Sequence, residues 1–242
     1  MTVARILLIV EGSTDAALAQ QLLDRALLET EDWVESELLA TLREYLRPDG
    51  LEGFLPWTEV KSFAQNSDRR VNPRMVHGNF GGKHGPDAVQ ARWGRIATVV
   101  SRADAAVWLR DADRQPERAE PLRDVATEPP CPLAWGVPVP MIEAWLVGCF
   151  APNTPQEQAS LTELRRNLPF DPIAKPERLS PTGGKHPAKK VAAQLGLDNA
   201  PRRTDALRGP LDRLRSCAAN AGLPDFIFRL EQVALAIVRL RV

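Results

Sequence analysis

Three carboxylates stand where short apolar runs end: Glu11 after Ile6-Leu-Leu-Ile-Val10, and Asp111 with Asp113 after Ala105-Ala-Val-Trp-Leu109. If both runs are strands of a parallel sheet, all three lie at its carboxyl edge, where open α/β sheets bind their ligands. Asp111 and Asp113 are two apart, so on extended backbone both side chains emerge on one side and offer the hard oxygen ligands that suit Mg²⁺. Should the two strands be neighbours, Glu11 joins them. Carboxylates crowded in this way repel one another unless a cation sits among them or one keeps its proton, and such a cluster points to metal-assisted phosphate chemistry. Taken singly, each has an ordinary alternative: Asp15 capping a helix, Asp113 opening a turn, Glu11 solvated at a strand end.

The basic residues that could meet a phosphate fall in two places. Lys83 and His84 close a stretch rich in Asn, Arg and Gly, and Lys185, His186, Lys189 and Lys190 precede and open an apolar helical pattern. Either set could neutralise a phosphate or stabilise a leaving group, and Arg69, Arg70 and Arg74 would contact a polynucleotide backbone if their loop touches one. A solvated loop and a solvated helix start are the plain alternatives. Pro181-Thr-Gly-Gly-Lys-His186 is not a nucleotide-binding phosphate loop, because His follows Gly-Lys where Ser or Thr is needed and the glycine spacing is wrong. HExxH, GxSxG, GxGxxG and calcium-loop patterns are absent from the sequence, and its three scattered histidines do not have the spacing of a zinc site. Cys149 and Cys217 fall within apolar helical patterns and read as packing residues.

The elements that must position these residues follow from periodicity. Ala4–Val10 reads as a buried strand, Glu11-Gly-Ser-Thr-Asp15 as a tight turn, and Leu18, Leu22, Leu23, Ala26 and Leu27 as the apolar stripe of a capped helix. Residues 29–47 stay helix-prone but acidic, a second helix or an extension of the first. Thr58–Phe63 alternates weakly, an edge strand, and 64–86 has no periodicity, a loop. A helix over 86–102 leads to the strand Ala105–Leu109. Leu133–Val139 is a further strand, limited by Pro138, and Pro140 opens a helix over 141–149. Beyond residue 150 the strand pattern stops: a proline-punctuated stretch with a helix around 156–167 is followed by helices over 185–195, 205–221 and 225–241. The expected fold class is therefore α/β, a mostly parallel sheet flanked by helices over 1–150, with a helical C-terminal subdomain over 151–242.

Composition bounds the rest. The 242 residues are 44% hydrophobic and 26% charged, enough for a core without staples. Three widely spaced cysteines argue against a disulfide framework or a CxxC knuckle, so a reducing cytoplasm is the simpler compartment. No apolar run is long enough to span a membrane, and the first residues lack the pattern of a secretory signal. Thirty-one bases balance 31 acids, so net charge makes no case for nucleic acid. Their distribution is uneven: residues 1–60 carry 12 acids and 4 bases, 61–110 carry 3 and 9, 111–172 carry 10 and 5, and 173–242 carry 6 and 13. A fold could assemble these blocks into an acidic centre flanked by basic surface.

In order and context, the strand ending in Glu11-Gly12 and the later strand ending in Asp111-Ala-Asp113 resemble the Toprim domain. That domain occurs in primases, topoisomerases, recombination-mediator proteins and the overcoming-lysogenization-defect nucleases. Met141-Ile-Glu-Ala-Trp-Leu-Val147 is similar to a helix start of small, stand-alone Toprim-like proteins, many encoded near defence or ATPase genes. The resemblance covers roughly residues 4–150. It implies Glu11 as general acid or base and metal-associated residue, Asp111 and Asp113 as holders of Mg²⁺ or Mn²⁺, and Glu143 as a fourth carboxylate. Lys185 would then serve as a catalytic cation and also, with Lys189, Lys190, Arg69, Arg70, Lys83 and His84, as a nucleic-acid contact. An acid in a first helical turn is equally what the helix macrodipole favours, so Glu143 has two readings. The chain departs from the family in its long spacing between Glu11 and Asp111, which requires an insertion near 30–85. It also has Gln115 in place of a third aspartate, and Arg114-Gln-Pro-Glu-Arg118 where a glycine often follows. Tyr45, the only tyrosine, lies out of context for transesterification. The expectation is a metal-dependent phosphodiester hydrolase, with phage defence or DNA processing as its setting. The other expectation is a non-catalytic scaffold or regulatory subunit beside an ATPase partner. Oligomerisation is open.

Overall fold

The computed structural model describes residues 3–46, 53–67 and 85–240. The fold is α/β, with a mostly parallel five-stranded sheet flanked by helices and further helices toward the C-terminus. The chain divides into two compact units. One comprises Met1–Leu109, Glu117–Trp135 and Arg229–Val242; the other comprises Arg110–Pro116 and Gly136–Phe228.

In the first unit β1 (Ala4–Val10) is the central strand, with Ile6 to Val10 wholly buried, as a nearly continuous apolar run requires of a strand covered on both faces. Its first half pairs in parallel with β2 (Arg43–Tyr45), its last two residues with β3 (Leu55–Pro56), and its other edge with β4 (Ala105–Leu109) in the register Ile6 to Ala105 through Ile9 to Trp108. β5 (Leu133–Gly136) continues the sheet beyond β4. Helix α1 (Ser13–Thr30) buries Leu18, Leu22, Leu23, Ala26 and Leu27, the stripe expected of it. Each leucine so buried is worth about 2 kcal/mol of transfer free energy.

Two expectations fail in this unit. The helix ends at Thr30, and the acidic stretch after it forms a 3-10 turn (Ser36–Leu38), the single turn α2 (Leu39–Leu42) and strand β2 in place of a second long helix. The reason lies in Arg43 and Tyr45. The Arg43 guanidinium donates to both Asp24 carboxylate oxygens at 2.7 and 2.6 Å, the Tyr45 hydroxyl donates to the same carboxylate at 2.9 Å, and so β2 is tied to α1. Thr58–Phe63 is not an edge strand either. α3 (Val60–Ser67) is helical because Val60, Phe63 and Ala64, at spacings of three and four, are buried together. α4 (Pro86–Ser101) passes close to the sheet at Gly94, where a Cβ would lie 3.1 Å from the Trp57 ring. The Trp57 indole N–H in turn donates to the Leu109 carbonyl at 2.7 Å, at the end of β4. α5 (Ala119–Ala126) packs on α4.

The second unit is helical. α6 (Ile142–Gly148) packs against a 3-10 turn at Pro176–Arg178 and against α8 (Ala188–Gln194), and α7 (Pro155–Asn167) lies between them in sequence. The helices expected over 185–195 and 205–221 are shorter than their patterns. α8 begins only at Ala188, and α9 (Ala200–Ala206) and α10 (Leu211–Arg215) break at Gly209-Pro210 and again before Cys217. α11 (Leu223–Arg239) starts in this unit, with Phe226 and Ile227 buried, and from Arg229 belongs to the first, where Leu230, Val233 and Ile237 are buried. Among the described residues, no helix is long and apolar enough to cross a membrane.

Candidate functional site

β1 and β4 are parallel neighbours, so their carboxyl ends share one edge of the sheet; the chain leaves β1 into Glu11 and β4 into Arg110 and Asp111. Glu11 is exposed. Asp15 reaches back from the first turn of α1 and accepts hydrogen bonds from the Glu11 and Gly12 backbone N–H groups at 3.2 and 3.1 Å, so a buried carboxylate holds the backbone that carries Glu11. The expected bond from Asp15 to the first free helical N–H groups is thus made one turn earlier, the half of a capping box in which an acid at the third helical position serves the cap backbone.

In the second unit the backbone ladder runs on past β4. Arg110 N–H donates to the Gly136 carbonyl at 3.2 Å and Ala112 N–H to the Pro138 carbonyl at 3.0 Å. Asp111, between them, is buried, and its Oδ1 accepts the Ile142 N–H at 2.9 Å, which fixes this carboxylate to the start of α6. At Asp113 the backbone turns left-handed, φ 52°, with its N–H on the Pro140 carbonyl at 2.7 Å. The extended geometry expected of the Asp-x-Asp pair therefore stops at Ala112, and Asp113 is a half-buried turn residue, a conformation aspartate tolerates better than most. Glu143 stands in the first turn of α6, and its Oε2 is buried with no hydrogen-bond partner. Glu177, in the 3-10 turn packed on α6, has a buried Oε2 in the same condition.

Lys185 is exposed and lies ahead of α8, not within it. The Ser180–Pro187 loop that carries it is closed by three bonds: Ser180 N–H to the His186 carbonyl at 2.8 Å, His186 N–H to Ser180 Oγ at 2.9 Å, and Ala188 N–H to the Ser180 carbonyl at 2.8 Å. Gly183 is left-handed at φ 83°, and a Cβ there would be 3.9 Å from Arg114 Nη2. The loop bearing Lys185 thus adjoins the residue that follows Asp113, a juxtaposition with no signal in the sequence, since the two segments are far apart in the chain. Lys189 and Lys190 are exposed in the first turn of α8. Arg69, Arg70, Lys83 and His84 lie outside the described residues.

Among the described residues, no three His, Cys, Asp or Glu side chains stand in one group placed to hold a metal ion. The donor chemistry nonetheless fits a hard divalent cation. In the second unit Asp111, Asp113 and Glu143 offer oxygen ligands, and the orphaned, buried Glu143 Oε2 is an atom that a cation would satisfy. At Tyr45 burial, and then the charge of Asp24, push the hydroxyl well above the usual phenol range. Comparisons with protein-family models, with curated proteins and with solved structures yield no match to this chain.

Proposed function

We propose that this chain is a metal-dependent nuclease of the Toprim kind, hydrolysing phosphodiester bonds in nucleic acid. The observation that carries the reading is the Asp111 carboxylate, buried after a parallel strand and fastened at 2.9 Å to the N–H that opens the Glu143 helix. Asp111 and Glu143 would be protein ligands of Mg²⁺ or Mn²⁺, with water and phosphate oxygens filling the remaining positions. The bound ion would polarise the phosphate and make an attacking water more acidic.

The chain's own residues divide the remaining work. Asp111 is oriented by its backbone bond, so it has less rotamer freedom to lose on binding. Glu11, whose backbone the Asp15 bonds hold, would be the general base that the Toprim resemblance implies. Lys185, with the Arg114 guanidinium beside its loop, offsets charge on the phosphate, and Lys189 and Lys190 hold the neighbouring backbone of the polynucleotide.

The test is cleavage of single- and double-stranded DNA and RNA with Mg²⁺ or Mn²⁺, with chelator, and in Asp111→Asn/Asp113→Asn. The amide that replaces Asp111 keeps an oxygen for the Ile142 N–H, so the fold survives while the anionic ligand is lost. Cleavage that disappears in both the chelated and the double-variant samples is the expected result. Cleavage unaffected by the double variant, or absent from every substrate, overturns the reading and leaves the chain a scaffold or regulatory subunit.

A further inference from the structure

Cys149 and Cys217 are far apart in sequence and meet in the second unit. Cys149 caps the C-terminal end of α6 and is buried; Cys217 is half-buried in the turn after α10, not inside a helix as its apolar neighbours suggest. The two segments touch through the residues beside the cysteines. A Cβ on Gly148 would fall 2.8 Å from Ala218 Cβ and 3.0 Å from the Ala218 backbone nitrogen, so only glycine allows the approach. Ala218 itself is held in the left-handed region, φ 47°, a conformation that costs alanine about 1 kcal/mol and persists because its surroundings impose it. Arg213 then clasps both sides. Its Nη2 donates to the Cys149 carbonyl at 2.9 Å, and its own carbonyl accepts from the neutral Cys217 thiol at 3.4 Å.

In this clasp the two thiols interact, and the interaction makes them unequal. Cys217 is lowered to about 6, by the hydrogen bond from Cys149 first and the Arg213 charge in addition, against the opposing effect of burial. Cys149 is raised, by donating that hydrogen bond and by burial. Cys131, half-buried, is raised to about 12 by burial and then by the Asp104 charge. A thiolate that is partly accessible beside a buried thiol is the arrangement of a peroxide-reactive cysteine with its resolving partner.

We propose that Cys149 and Cys217 are a reversible redox site, with Cys217 the sulfur that attacks hydrogen peroxide and Cys149 the one that resolves it to a disulfide. The Cys217 thiolate attacks one peroxide oxygen, the O–O bond breaks, and sulfur is oxidised to a sulfenic acid as hydroxide leaves. The Cys149 thiol gives its proton to that hydroxide, forming the first water. The Cys149 sulfur then attacks Cys217, the S–O bond breaks, and the departing oxygen takes a proton from solvent as the second water. Two thiols and one peroxide become one disulfide and two waters. In a reducing compartment such a bond is transient, as regulatory disulfides are. It would fix the trailing end of the helix whose leading end holds Asp111, but its formation does not depend on any nuclease activity.

The test is peptide mass mapping of the full chain after hydrogen peroxide, with alkylation of remaining thiols. The expected product has Cys149 and Cys217 joined, Cys131 alone alkylated, and the bond reversed by dithiothreitol. It forms at least ~10-fold faster than Cys131 is consumed, as thiolate content dictates. In Cys149→Ser a sulfenic acid on Cys217 is trapped by dimedone, and in Cys217→Ser neither product forms. Three alkylated cysteines in the treated wild type, or a Cys217 that over-oxidises without joining Cys149, overturns the proposal. The wild-type map suffices if either variant fails to fold.

Discussion

Carboxylates are treated in opposite ways at Asp24 and at Glu143. Asp24, in the sheet unit, takes two hydrogen bonds from Arg43 and one from Tyr45, and its charge is spent fastening β2 to α1. Glu143 and Glu177, in the helical unit, each keep a buried oxygen with no hydrogen-bond partner. An acid saturated by protein donors is structural and has no capacity left for a ligand. A buried carboxylate oxygen left without a donor raises the free energy of the folded chain, a cost that persists where a cation or substrate removes it.

Acid-to-amide substitutions should separate the two regions. Asp111→Asn/Asp113→Asn is expected to lower nucleic acid cleavage by ~10²-fold or more, the loss of several kcal/mol of charge stabilisation, with an unchanged Tm. Asp24→Asn should do the reverse: unchanged cleavage, and about 2 kcal/mol lost in urea unfolding, because a charge-assisted fork becomes a neutral one. If Asp24→Asn abolished cleavage and spared stability, the comparison would fail.

A second contrast is thermal. Glu143→Gln replaces a carboxyl whose buried oxygen is unserved, so in chelator its Tm should equal or exceed that of wild type. Mn²⁺ at a hundredfold excess over its dissociation constant should stabilise wild type by about 2.7 kcal/mol and leave Glu143→Gln unmoved. Equal Mn²⁺ shifts in both proteins would remove Glu143 from the ligand set.

The smallest effect is at Glu157, at the start of α7, which behaves like Asp24. Burial opposes its charge, but the Arg202 guanidinium at 2.6 Å and the Asn153 N–H at 2.6 Å outweigh this and hold its carboxyl below the usual 4.5. A depressed folded-state value means its contribution is whole above pH 4.5 and is lost as pH falls through the lower folded value. Glu157→Gln should therefore cost about 1 kcal/mol at pH 7, and the gap from wild type should close as the pH falls below 4.5 in urea titrations.

Much of this was legible in the chain. Ile6–Val10 and Ala105–Leu109 could only be buried strands, because unbroken apolar runs bounded by Gly, Asp and Arg have no solvated face; the leucine spacing of α1 left one helical stripe. These local patterns determined the strand ends, and so the positions of Glu11 and Asp111. Tertiary packing decided the rest. Thr58–Phe63 carries residues that favour strand, but burial of Val60, Phe63 and Ala64 on one side rewards helix by more than propensity costs. The acidic stretch after Thr30 yields to β2 because a strand edge and the Asp24 fork outweigh helix preference. The fastening of Asp111 to Ile142, the approach of Arg114 to the Lys185 loop and the meeting of Cys149 with Cys217 join segments 31, 69 and 68 positions apart. No periodicity encodes such pairs, since they depend on how the loops close, and loop closure is selected by packing over the whole chain.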